Sequence, residues 1–317
     1  MNRCLCCGKE LLKADEVASG WHSKCVKSFF GTSSLPDIDV SKDHLEQMAD
    51  EAVNKSITIT GVQKKLSLHL SKEGENRLTI VNYPTGYILK PQTAEYSQLP
   101  EFEHITMSMA NFVGIKTVPH ALVRTDDSYS YITKRIDRNI SDESVIKYAM
   151  EDFCQLSGKL TADKYKGSYE QCGRIVKKYS SRVGFDISEF YLRILFCFIT
   201  GNSDMHLKNF SLIETDIGSG LYELSDAYDL LPVNPILPED NEETALTLNG
   251  KKRNLTLKDF IILAENIGID KKSALRMINN LLNKIDGMLS LLDENVLEEK
   301  EADLLRTLIS SRAERLK

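Results

Sequence analysis

Gly201-Asn202-Ser203-Asp204-Met205-His206-Leu207-Lys208-Asn209-Phe210-Ser211 is the stretch that decides how this chain is read. It is a polar loop after the apolar run 192–199, and Ser225-Asp226-Ala227-Tyr228-Asp229 follows downstream. Phosphoryl transfer needs one carboxylate facing the acceptor hydroxyl. It also needs an amide oxygen and a second carboxylate that meet at the cation on the phosphates. Asp204 suits the first role, and Asn209 and Asp229 the second, as ligands of Mg²⁺. An Asp-x4-Asn spacing alone equally suits a solvated loop whose Asp and Asn make turns. What favours the transfer loop is the set of other pieces, arranged in order along the chain.

Outward from the loop, the chain from residue 139 onward is expected to be helical. Glu151-Asp152-Phe153-Cys154-Gln155-Leu156 starts a helix, and 170–179 and 188–200 continue the pattern. Cys154, Cys172 and Cys197 lack ligand spacing and read as core residues. Pro232, Pro235 and Pro238 suggest a rigid loop that borders a substrate groove. Residues 257–316 are amphipathic helix, punctuated by Gly268 and Gly287.

Upstream, the pattern turns to strands. Residues 66–70 alternate apolar and polar, and 78–81, 87–89, 121–123 and 129–132 read likewise, around turns at 73–76 and 126–127. Lys90 emerges from Tyr87-Ile88-Leu89 as the phosphate-pairing lysine of a kinase does, or as an edge-strand charge. Residues 100–112 form a helix stopped at Gly114. Glu103 on its first turns could reach back to Lys90, or simply complement the helix dipole. Lys134-Arg135-Ile136-Asp137-Arg138 leaves the last strand where a hinge between two lobes would fall. Ahead of the first strand, 55–65 (Lys55-Ser56-Ile57-Thr58-Ile59-Thr60-Gly61-Val62-Gln63-Lys64-Lys65) is hydroxyl-rich, with one glycine and paired lysines. Such a loop can face phosphates with backbone N–H groups and Lys charge, or serve as a plain hairpin turn.

The first residues differ again. Cys4-x2-Cys7 and His22-x2-Cys25 are pairs with the spacing of structural zinc, and Gly8 allows a tight turn around a thiolate. The alternative is a group of thiols without metal. Cys6 is the spare thiol. Phe29-Phe30-Gly31-Thr32 would close this module, 33–39 read as a linker and 43–54 as an entry helix.

The 317 residues are 42% hydrophobic and 27% charged, enough for two lobes around large cores. The net charge is -6, so no bulk basic character suggests direct nucleic-acid binding, and the modest basic count of 1–31 adds little. No 18-residue apolar stretch and no apolar leader are seen, so a cytoplasmic protein without membrane contact is expected. Seven cysteines, four of them within the first 25 residues, favour metal over disulfides in a reducing compartment.

Together these blocks resemble the HipA family of serine/threonine kinases, the toxins of bacterial toxin–antitoxin modules. Ile59-Thr60-Gly61-Val62-Gln63-Lys64-Lys65 is similar to the family's phosphate loop, and Ile88-Leu89-Lys90-Pro91 to its ATP lysine. Arg135-Ile136-Asp137-Arg138 is similar to its hinge, and Glu151-Asp152-Phe153-Cys154-Gln155 to its E-D-x-C-Q block. Residues 203–211 and Ala227-Tyr228-Asp229-Leu230 are similar to its catalytic and metal loops. Val62, Lys64, Met205 and Asp226 depart from the family's usual residues without removing a proposed chemical group.

The resemblance implies an α+β, bilobed protein-kinase-like fold with a β-rich small lobe (55–138) and a helical large lobe (139–317). A zinc-knuckle-like module (1–31) and a linker with an entry helix (32–54) would precede them. It implies Asp204 as the catalytic aspartate and Asn209 and Asp229 as Mg²⁺ ligands. ATP would meet Thr60, Gly61, Val62, Gln63, Lys64, Lys65, Lys90 with its partner Glu103, the backbone at Lys134 and Ile136, and His206 and Tyr228. Ser56 and Thr58 would be sites of self-inactivating autophosphorylation. The short segment ahead of the phosphate loop is similar to the shortened branch, whose missing subdomain is a separate small antitoxin protein. A DNA-binding antitoxin and a protein substrate such as an aminoacyl-tRNA synthetase are the other implied partners. A regulatory protein of the same fold, acting through antitoxin complexes without turnover, is the alternative.

Overall fold

The computed structural model describes residues 2–38, 65–71, 77–80, 85–125, 128–140, 145–294 and 296–317. Ser56, Thr58, Thr60, Gly61, Val62, Gln63, Lys64, the 43–54 helix and the turns at 73–76 and 126–127 lie outside the described residues. Two compact units are present. One is Met1–His104 with Val118–Val145 and Glu294–Val296; the other is Ile105–Thr117 with Ile146–Asp293 and Leu297–Lys317.

In the first unit, Gly20 ends helix α1 (Ala14–Ser19) in the left-handed conformation (φ 74°), which reverses the chain into α2 (Ser23–Phe30). The buried Glu16 accepts from Ser23 N at 3.0 Å and caps α2. A six-stranded sheet follows, ordered β1-β3-β2-β4-β6-β5. Its strands are β1 (Asp37–Ile38), β2 (Leu66–Ser71), β3 (Arg77–Ile80), β4 (Tyr87–Pro91), β5 (His120–Thr125) and β6 (Ser128–Lys134). Apart from the parallel β1–β3 pair the sheet is antiparallel. Alternation in β2 sends Leu66 and Leu68 into the core.

Two expectations change here. The linker 33–39 contains strand β1, whose Asp37 pairs with Arg77 and Ile38 with Leu78. The cysteine-rich segment is not a closed module. Phe29 and Phe30 pack with each other, with Trp21 and with Tyr87 of β4, at ring-centroid separations of 4.8 to 5.9 Å. Leu122 N donates to Leu5 O at 2.8 Å. Two short helices cannot bury Trp21 by themselves, so they borrow the sheet's core.

Helix α3 (Leu99–Val113) carries Glu103 and His104 in the first unit, and its remainder, from Ile105, belongs to the second. The division therefore does not fall only at 138. The second unit is built on α6 (Val183–Thr200), buried on nearly every side from Phe190 to Thr200. Helices α5 (Tyr169–Tyr179), α8 (Leu257–Asn266), α9 (Lys271–Leu282), α10 (Ile285–Ser290) and α11 (Glu299–Glu314) also belong to it.

This unit is not purely helical. Met150–Asp152 is strand β7, in a three-stranded sheet with β8 (Ser211–Glu214) and β9 (Tyr222–Leu224). Helix α4 (Phe153–Leu156) starts two residues later than expected, because Asp152 is its N-cap in a capping box with Gln155. The 232–238 segment holds a helical turn, α7 (Val233–Ile236). Gly268 ends α8 at φ 90°, whereas Gly287 lies inside α10, where a Cβ would meet the Phe112 ring. Among the described residues no helix is long and apolar enough to cross a membrane.

Candidate active site

Helix α6 ends at Gly201, which adopts φ 75° and whose Cβ position lies 2.3 Å from Leu308. Only glycine satisfies both constraints. The polar loop then folds on itself. Asp204 N donates to Asn202 Oδ1 at 3.1 Å, and Asn209 Nδ2 donates to Asp204 O at 3.0 Å. That second bond commits the Asn209 amide nitrogen. Its Oδ1, the atom that ligates cations, has no partner among the described residues.

The 225–229 segment is held from three directions. Ser225 N donates to Ser211 O at 2.9 Å, and the buried Arg193 of α6 donates to Ser225 O at 2.6 Å. Ala227 N donates to Lys116 O at 2.8 Å, and Lys116 Nζ lies 2.9 Å from Asp226. Asp229 takes φ 59°, a conformation rare outside glycine and tolerated best by Asn and Asp. Strain of this kind concentrates where a side chain must be aimed.

His206 is buried beside these groups. Burial lowers its pKa against the opposing charges of Asp204 and Asp229, so it stays neutral. Tyr228 turns its hydroxyl into the loop, 2.5 Å from Ser211 Oγ and 3.0 Å from Lys208 O, and burial raises its pKa.

Two residues were given no role by the sequence reading. Tyr165 donates its hydroxyl to Asp204 Oδ1 at 2.6 Å, with its ring edge-on to His206 at 5.1 Å. Lys208 pairs with Asp152 at 2.6 Å. Neither has a spacing signal, because each pair joins segments distant in sequence. Arg193 is a third: an arginine within an apolar helix pattern could have been singled out as a buried polar anchor.

In the first unit, Lys90 and Glu103 come together. Lys90 Nζ lies 2.5 Å from Glu103 Oε1, with both side chains buried. The lysine also sits over the ring of Tyr131, its cross-strand partner in β6, 5.3 Å from the centroid. Lys134 N donates to Pro119 O at 2.9 Å, so that amide is unavailable to a base. Next to it, Arg135 donates to Asp137 at 2.9 and 2.7 Å and Arg138 at 2.9 Å. Burial alone would raise the Asp137 pKa; these bonds instead hold it at about 2.

The Cys/His group is also in this unit. The ligand atoms of Cys4, Cys7, His22 and Cys25 all lie within 4.8 Å of one another. Thiolates on one tetrahedral zinc would be about 3.8 Å apart, so the set fits a closed site. Gly8 (φ 69°) turns the chain after Cys7, and Gly8 N donates to Cys4 O at 2.8 Å. His22 and Cys25 stand at the N-cap and first turn of α2, spaced to point one way. Glu10 O accepts from His22 Nε2 at 3.0 Å, which leaves Nδ1 as the lone pair facing Cys7 Sγ at 3.4 Å. Cys6 stands outside the group.

A family model described as HipA-like C-terminal domain matches residues 57–289. A Haemophilus influenzae protein provisionally named a kinase is 27% identical over 286 residues, covering 82% of this chain and 81% of that one. The serine/threonine-protein kinase toxin HipA of Shewanella oneidensis is 28% identical, over 59% of this chain and 45% of its own length. The chain thus spans less than half of that toxin. Among solved structures, HipA from the Shewanella oneidensis complex with HipB and operator DNA superposes at TM-score 0.68 and 18% identity. It covers 84% of this chain and 70% of that one. The Helicobacter pylori proinflammatory kinase CtkA superposes at 0.54 and 14% identity, covering 75% and 90%. The kinase-like architecture follows from these superpositions.

Proposed function

The chain belongs to the HipA-like C-terminal domain family, and we propose that it is an ATP- and Mg²⁺-dependent protein serine/threonine kinase acting as a toxin. The observation that carries this reading is the folded loop in which Asn209 is tied to Asp204 and presents its Oδ1, with Asp229 held left-handed nearby.

On this reading Asp204 orients the acceptor hydroxyl and takes its proton as the oxygen attacks the γ-phosphorus, while the bond from that phosphorus to the β-phosphate oxygen breaks and ADP leaves. Asn209 and Asp229 hold Mg²⁺, which neutralises charge on the phosphates. Lys90, fixed by Glu103, binds the phosphates as well, and His206 stays neutral beside Asp204. Thr60, Gly61, Val62, Gln63, Lys64 and Lys65 supply the phosphate loop. The Ile136 backbone meets adenine. Transfer relies on positioning and charge neutralisation.

Phosphate on Ser56 or Thr58 would add about two negative charges where the nucleotide's phosphates bind, and so inactivate the enzyme. The group Cys4, Cys7, His22 and Cys25 holds structural Zn²⁺. The Shewanella complex supports a DNA-binding antitoxin as partner, and the family resemblance supports a small antitoxin and a substrate such as an aminoacyl-tRNA synthetase.

Intact mass after incubation with Mg-ATP, followed by peptide mapping of 55–65, tests this reading. An added phosphate on Ser56 or Thr58 in the wild type, absent from Asp204→Asn, is expected. Equal phosphate on both proteins would remove Asp204 from the chemistry.

A further inference from the structure

We propose that Tyr165 is a positioning residue of the phosphoryl-acceptor site, whose hydroxyl holds one oxygen of Asp204 so that the other faces the substrate hydroxyl. This rests on the kinase reading above.

The geometry is specific. The Tyr165 hydroxyl donates to Asp204 Oδ1 at 2.6 Å, and Oδ2 has no partner among the described residues. A carboxylate held through one oxygen keeps a single rotamer and presents the other as an acceptor. Without that bond the side chain of a half-exposed aspartate samples several rotamers, and only some aim at the acceptor. Burial, and then the hydrogen bond to Asp204, raise the pKa of Tyr165, so the phenol keeps its proton and remains a donor.

The tyrosine is not a swinging plug. Its loop is stitched to the loop that carries Asp204: Leu207 N donates to Lys164 O at 3.1 Å, and Tyr169 Oη to Met205 O at 3.1 Å. On its far side Thr247 N donates to Gly167 O at 3.3 Å. Tyr165 is nonetheless 44% exposed and Leu160 is 75% exposed, so the loop borders solvent and leaves a protein acceptor room beside Tyr165. A clamp that is anchored, protonated and open on the acceptor side fits positioning better than blockade.

The test measures turnover of labelled ATP by the full chain. Released phosphate, phosphate on the chain and phosphate on myelin basic protein are summed for wild type, Tyr165→Phe and Tyr165→Ala. Because the clamp is the hydroxyl, both variants should lose kcat by about tenfold or more while the ATP KM stays within twofold. A packing role would spare the Phe variant, and a plug would make it faster; either result overturns the inference while leaving the kinase reading intact. A wild type silent in all three channels overturns both.

Discussion

At the residue scale the site is a set of side chains whose freedom has been removed. Asp204 is held by Tyr165, Asn209 by the Asp204 carbonyl, Asp229 by its own backbone and Lys90 by Glu103. Asp204→Asn keeps the shape and removes the proposed proton acceptor. Phosphate transfer to any acceptor should fall by about a hundredfold or more, with little change in thermal stability. The Lys90–Glu103 pair behaves differently, because it is buried. Lys90→Met takes the ammonium away from a buried carboxylate and should cost about 3–5 kcal/mol in denaturant unfolding. Adding Glu103→Leu should restore most of that stability while leaving ATP binding lost. If the double variant binds ATP like wild type, Lys90 does not hold phosphate.

At the element scale, what matters is how closely helices approach and what closes the short ones. Gly173 of α5 faces Ile267 at the end of α8, where a Cβ would lie 2.3 Å from Cγ2 and 2.9 Å from Cβ. Helix propensity alone favours alanine by about 1 kcal/mol, but overpacking a buried isoleucine costs about 1–3 kcal/mol. Gly173→Ala should therefore lower stability in a urea melt, and a rise would mean that α8 can give way. The α1–α2 segment is a second case. Purified chain should carry one zinc by elemental analysis, Cys25→Ala should lose it, and Cys6→Ala should keep it. If the site is loaded, chelation should lower the melting temperature by several degrees, since the four preplaced ligands would bind zinc more tightly than the unfolded chain does.

At the scale of the whole molecule, each unit holds an aspartate, half-buried Asp137 in one and buried Asp259 in the other, whose pKa lies below its unfolded value. Asp137 is held at about 2 by Arg135 and Arg138, and Asp259 at about 2 by Lys251, Asn249 and Thr256, in each case against burial. A depressed carboxylate contributes stability that is complete above the unfolded pKa near 4 and lost as pH falls through the folded one. Acid unfolding should steepen between about pH 4 and pH 2, and Asp259→Asn should flatten that slope. An unchanged slope would place the acid sensitivity elsewhere.

What the sequence determined by itself was local or periodic. The five-residue step from Asp204 to Asn209, the paired Cys4/Cys7 and His22/Cys25 spacings, the alternation of β2 and the apolar face of α3 are all constrained within a few turns of chain. Lys90 and Glu103 could be matched because a strand leads into the next helix. The tertiary structure alone decided that Phe29 and Phe30 share a core with Tyr87, that Met150–Asp152 is a strand beside Ser211, and that Tyr165 clamps Asp204. A hydrogen bond between segments 39 residues apart imposes no spacing on either segment. Burial and pairing across such distances arise only when the whole chain has packed, so no pattern along the sequence records them.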